Sequence, residues 1–370
     1  MLSLRVLRGA GPAVLGRWAL AAAASAGTGL LLLSTLGWAL AHPGGDASHA
    51  AVRLVWCVVP VVVTVQLAAA VGRTQSAAWP REGLSSVGLG RTGLLALAAV
   101  TTAVVCLVGS AVALLVFLQL RGDVTGVEWN GVGPGLLASG KALPPAGVAT
   151  LLAVVPAAAA GTMLAGLRSG HTRVRDAPGS LPWGVALVAV GLSVEVASPR
   201  GDGLPLPSGL GVIAPAAVGG WIVTTAGMVL AGPGLVHVIG RLLAAYRPGP
   251  VRLLAGRTLQ HESPRLGRPL GLLCATAAAA LSAYTLQSGD GHRLGPVSVF
   301  AFTLIAVCVL ATAAVSLNET ASSRTEARNA LHEVAASPTT LRAALAVRAT
   351  ALLAVLVPLA FLVAALSTLP

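Results

Sequence analysis

Nine runs of this chain are too long and too apolar for a fold bathed in water. They lie near 18–41, 54–71, 93–120, 146–167, 181–197, 209–231, 269–287, 295–317 and 349–368, the fifth being the shortest. A helix needs about 20 residues to cross a hydrocarbon core of about 30 Å, and most of the nine reach that length. Their apolar residues are continuous, not alternating, so the expectation is membrane helices rather than barrel strands. Charge agrees: 10% of the 370 residues are charged, against about 25% in a typical soluble domain.

A net charge of +12 would fit a nucleic-acid binder until the basic residues are placed. With the amino terminus inside, 19 fall in cytosolic segments, and only Arg53, Arg121, Lys141, Arg200 and Arg293 fall outside. That asymmetry is the positive-inside rule and sets orientation. Basic charge here serves topology, with attraction to anionic membrane lipid, and no nucleic-acid partner is expected. Trp18, Trp38, Trp56 and Trp183 stand at span ends, where an amphipathic indole fits the headgroup level. Cys57, Cys106, Cys274 and Cys308 all lie inside spans and read as small packing residues rather than a disulfide framework. The first run resembles a secretory signal ending at Ala39-Leu40-Ala41, but it is longer than the usual apolar core of such signals. An uncleaved span is expected.

An internal repeat organises the rest. Shifted by 247 positions, Arg81–Val100 and Arg328–Val347 agree at 8 of 20 positions, among them Arg81/Arg328, Leu84/Leu331 and Val87/Val334. Each copy reads arginine, apolar pair, small-residue break, then a long hydrophobic helix. Residues 246–268 likewise repeat the basic, amphipathic start of the chain, with Leu15-Gly16-Arg17 and Leu266-Gly267-Arg268 before their spans. Three blocks follow: 1–168, a first unit of four spans; 169–245, two connecting spans and a basic amphipathic segment; and 246–370, a second unit one span shorter. Pro60, Pro156, Pro215 and Pro358 fall within the predicted spans as kinks that neighbouring helices can absorb.

Catalytic motifs fail on chemistry. Gly135–Lys141 imitates a phosphate-binding loop, but Ala142 stands where Ser or Thr must reach magnesium, and the segment maps outside. His261-Glu262 and His332-Glu333 begin like a zinc-protease motif, but Arg265 and Ala336 replace the second histidine. No Gly-x-Ser-x-Gly elbow occurs. The chain is expected to be no enzyme in itself and to hold no cofactor or metal. Intramembrane polar residues are few: Glu195 near the outer end of the fifth span, Gln66, Gln119, and His237 just past the sixth. Glu195 reads either as a snorkelling end residue or as a functional carboxylate. Small-xxx-small spacings are read as close helix packing and nothing more.

The remaining signal is cytosolic. Over 324–337, Arg324, Glu326, Arg328 and Glu333 flank Leu331 and Val334, and Ser337-Pro338-Thr339-Thr340 supplies a helix stop, a turn and a hydroxyl cap. A short helix there, repeated near residue 81, can dock in a partner's groove and pass motion to the next span.

On Arg324–Leu369, its counterpart Arg73–Leu120 and the amphipathic starts before Trp18 and Pro269, the chain resembles the FtsX-like permease family. These are the membrane subunits of MacB-type ABC transporters. The resemblance implies a cytosolic ABC ATPase subunit as partner, homo- or hetero-oligomeric assembly, and a cell-membrane location. Carried over by position, it makes Arg81, Leu84, Val87 and Gly90 one ATPase-coupling contact, and Arg328, Leu331, Val334, Ser337 and Pro338 the other. Two departures stand out. The large extracellular domain of the family is reduced here to 42–50 and 288–294, and the second unit is expected to lack the family's final span. The expectation is therefore an all-α polytopic membrane protein with about nine spans in two related units, its amino terminus cytosolic. It would act as a permease subunit, with a secondary transporter or a non-transporting scaffold as the rivals.

Overall fold

A computed structural model describes residues 12–41, 47–77, 91–121, 142–168, 180–198, 204–205, 212–245, 249–290, 295–333 and 338–367. These residues form nine helices: α1 (Pro12–Ala41), α2 (Ala47–Ala77), α3 (Arg91–Arg121), α4 (Pro145–Arg168), α5 (Ser180–Ala197), α6 (Pro215–Ala245), α7 (Pro250–Asp290), α8 (Pro296–Glu333) and α9 (Pro338–Ser367). All but α5 are long and apolar enough to cross a bilayer. The 18 residues of α5 extend about 27 Å at 1.5 Å per residue, and its apolar part is Leu181–Ala197. The protein is an all-α, multi-pass membrane protein. Its described strands are two dipeptides, β1 (Leu204–Pro205) and β2 (Val212–Ile213), paired antiparallel with Leu204 opposite Ile213.

Proline marks where these helices begin. α1, α4, α6, α7, α8 and α9 each open on one. The first helical position suits proline because the N–H it lacks would have no intrahelical acceptor there, and its φ is already helical. This corrects two boundaries. The sixth span begins at Pro215, not 209, and runs on to Ala245, so Pro215 starts a helix instead of kinking one and His237 lies inside it. The seventh does not begin near 269 but belongs to a 41-residue helix from Pro250, with Pro264 and Pro269 in its interior. At about 62 Å, α7 is twice the thickness of a hydrocarbon core.

Two compact units are present. Helices α1–α4, with Pro296–Thr312 of α8, form the first. Its most extensive packing is α1 on α3, followed by α3 on α4 and α1 on α2. Leu33, Phe117 and Val148 from α1, α3 and α4 meet in one apolar cluster, while Ala68, Cys106, Val155 and Ala159 join α2, α3 and α4 in another. All four cysteines are buried free thiols.

The second unit holds α5–α7, α8 from Ala313, and α9. Helix α6 is its spine, lying between α5 and α7. On α6, Gly220, Gly227 and Gly234 are seven residues apart, and so are Gly184 and Gly191 on α5. A seven-residue step returns to nearly the same helix face. The two stripes meet in an antiparallel register: a methyl group at Gly220 would lie 2.7 Å from the Gly191 carbonyl oxygen, and one at Gly227 2.7 Å from the Val188 nitrogen. The other side of α6 repeats the device against α7. A methyl at Gly240 would lie 2.8 Å from the Gly256 carbonyl oxygen, and one at Gly271 2.5 Å from that of Met228. Lipid chains are as apolar as leucine, so membrane helices associate through close backbone approach, which small residues permit. Helix α9 closes the unit against α7, with Met228, Cys274, Ala278, Ala360 and Val363 in the shared core.

Candidate functional site

Within the first unit, polar groups are threaded through the apolar interior. Thr28 on α1 donates to the Ala24 carbonyl at 2.9 Å, which commits its only hydrogen. Its 2.6 Å contact with Thr64 of α2 is therefore donated by Thr64. Thr64 in turn lies 4.0 Å from the Cys308 sulfur on α8. One turn away, Ser25 donates to the Cys106 carbonyl of α3 at 2.9 Å, and Ser110 of α3 donates to the Leu152 carbonyl of α4 at 3.1 Å. Ser25 and Thr28 are both 0% exposed. The small residues that bring these helices together also bring their hydroxyls within reach of neighbouring carbonyls. At Gly109, an added methyl would collide with the Ala22 carbonyl and lie 2.8 Å from Ser25 Cβ. The thread fixes helix register, and among the described residues no three of His, Cys, Asp and Glu converge as a metal site.

In the second unit, Glu195 occupies the α5–α6 seam. Its Oε1 accepts a hydrogen bond from Thr224 Oγ1 at 3.0 Å, and Trp221 of the same helix also reaches the carboxyl. Packing of Gly191 against Gly220 is what lets a helix-end carboxylate lie flat between two helices. The residue thus has a specific partner and is not simply snorkelling. Gln66 is exposed on α2, while the amide nitrogen of Gln119 on α3 is buried without a hydrogen-bond partner among the described residues. At the end of α1, Trp38 stacks under the Arg53 guanidinium of α2, 3.9 Å from ring centre to carbon.

A buried ion pair was missed from sequence. Arg348 of α9 donates to the Glu262 carboxylate of α7, with side chains 10% and 12% exposed. The bias of basic residues makes Arg348 one cytosolic charge among 19, and Glu262 stands out only as part of a failed zinc motif. Next to the pair, Val236, Ile239 and Leu259 pack with Ala351 and Leu352, so α6, α7 and α9 are clamped at this end.

The predicted coupling residues fall unevenly. Arg81, Leu84, Val87, Gly90, Val334 and Ser337 lie outside the described residues. Arg328 and Leu331 lie in the last two turns of α8, and Pro338 opens α9. The apolar run of α8 ends at Leu317, yet the helix continues without a break to Glu333. The stretch from Asn318 to Glu333 extends it by about 24 Å. The chain matches no protein-family model, no curated protein and no solved structure.

Proposed function

We propose that this chain is the permease subunit of an ABC-type transport or mechanotransmission complex in the cell membrane. In this reading it couples a separate cytosolic ATPase to rearrangement of its transmembrane helices. One observation carries the reading: α8 leaves its span as an unbroken helix to Glu333, and the chain restarts as a helix at Pro338. An arm held by continuous backbone hydrogen bonds passes a push at its tip to the span, where a flexible loop would absorb it. Its last two turns carry Arg328 and Leu331, which the internal repeat pairs with Arg81 and Leu84. A partner with an acidic-rimmed apolar groove fits that pattern.

The test is charge reversal at both copies, Arg81→Glu with Arg328→Glu, in chain extracted from its own membranes in mild detergent. The expected outcome is loss of the co-purifying ATPase or of its stimulation. Unchanged recovery and turnover would count against the reading. The rival, a secondary transporter, rests on Glu195 in the α5–α6 seam. Flux abolished by Glu195→Gln, with no ATPase involved, would favour it.

A further inference from the structure

One face of α7 carries three arginines and a histidine in line, without a carboxylate partner among the described residues. Arg257, His261, Arg265 and Arg268 are spaced four, four and three residues apart, and each is exposed. At about 100° per residue these positions span an arc of roughly 80°. The acidic residue of this stretch, Glu262, lies outside that arc and is engaged with Arg348 of α9. None of the four basic residues is paired with a described carboxylate.

The line does not stop at the last arginine. Leu272 and Ala279, four and eleven residues beyond Arg268, continue the same face into the span, half-buried and exposed respectively. An acidic protein or a nucleic acid would meet the charges and leave this apolar continuation unused. A phospholipid uses both: its anionic headgroup meets guanidinium groups that bind phosphate in a bidentate manner, and its chain lies along the strip above. The bias of basic residues places this end of α7 at the inner leaflet, where anionic lipid is concentrated.

We infer that the Arg257–Arg268 face of α7 is a binding site for an anionic phospholipid of the inner leaflet. The inference does not depend on an ATPase partner. It is tested on the purified full chain in bilayers, by comparing immobilisation of spin-labelled phosphatidylglycerol with that of spin-labelled phosphatidylcholine. The native chain is expected to prefer phosphatidylglycerol by about fivefold or more, the scale set by one surface arginine. The triple variant Arg257→Gln, Arg265→Gln, Arg268→Gln brings the two lipids close to parity. A control, Arg241→Gln with Arg252→Gln, removes two basic residues of the same α6–α7 hairpin that lie off the arc, and it keeps the preference. In the native chain the preference also falls as salt approaches about 1 M, where screening acts within roughly 3 Å. Equal affinity for both lipids in the native chain, a preference indifferent to salt, or an equal loss in the control pair would overturn the site.

Discussion

Arg348 on α9 donates a hydrogen bond to Glu262 on α7, joining by an ion pair two helices whose partners are 86 residues apart in the sequence. Both side chains are almost fully withdrawn from the surface. Pairing therefore has to offset a large desolvation cost, and removal of either partner strands the other charge. Glu262→Gln and Arg348→Gln are each expected to lower the melting temperature in detergent. The double variant should be less damaged than the sum of the two, with a coupling of about 1–3 kcal/mol from a double-mutant cycle. Additive losses would mean that the two side chains do not stabilise one another.

That pair also marks the limit of what sequence could show. Nine apolar segments were legible because a hydrocarbon core demands length and hydropathy of any helix that crosses it. Helix ends were less so: hydropathy falls at Arg268, but the backbone hydrogen bonds of α7 do not, and the helix runs back to Pro250. Proline was the available signal. Read as a kink at Pro215, it is the first residue of α6. The glycine stripes could be seen as spacing, but which stripe faces which helix depends on tertiary register. Arg348 and Glu262 carry no local pattern at all, since their meeting follows from how α9 lies along α7. Of the coupling residues, sequence located a helix over Arg328 and Leu331, but Pro338, read as part of the turn before the ninth span, is the first residue of α9.

The glycine seams make a contrast that stability measurements can read. Helical glycine normally costs about 1 kcal/mol relative to alanine, so Gly→Ala should stabilise wherever space allows. At Gly161 and Gly219 nothing lies within 4 Å of an added methyl. At Gly267 the methyl would overlap the backbone of Pro233, and at Gly220 it would lie 2.7 Å from the Gly191 carbonyl oxygen. Gly161→Ala and Gly219→Ala should therefore be neutral or mildly stabilising. Gly267→Ala and Gly220→Ala should each cost about 1–3 kcal/mol through overpacking. Equal behaviour of the two groups would refute the antiparallel registers described for α6.

In the first unit the direction of the Thr28–Thr64 bond makes its own prediction. Thr28 spends its hydrogen on the Ala24 carbonyl, whereas Thr64 spends its own on Thr28. Thr64→Val keeps the shape of the side chain and deletes the interhelical donor. The expected loss is about 0.6–1.7 kcal/mol, the range for hydrogen bonds between membrane helices. Thr64→Ser retains the donor and should recover most of the hydrogen-bond contribution. If Val and Ser variants are equally destabilised, methyl packing rather than the hydroxyl holds α1 to α2.

The arm at the end of α8 can be broken without altering any charge. Ala327 lies between the end of the apolar run at Leu317 and the helix end at Glu333. Proline at that position removes one backbone donor and clashes with the carbonyl four residues back, at a cost of about 3 kcal/mol in a helix interior. The substitution leaves Arg328 and Leu331 in place. If α8 transmits force as proposed, Ala327→Pro should abolish ATP-dependent activity while the ATPase still co-purifies and the chain still inserts. Ala327→Gly, which loosens the helix by about 1 kcal/mol without breaking it, should show a partial defect. Full activity in the proline variant would show that the extension is a tether, because a bent rod cannot convey a push along its axis.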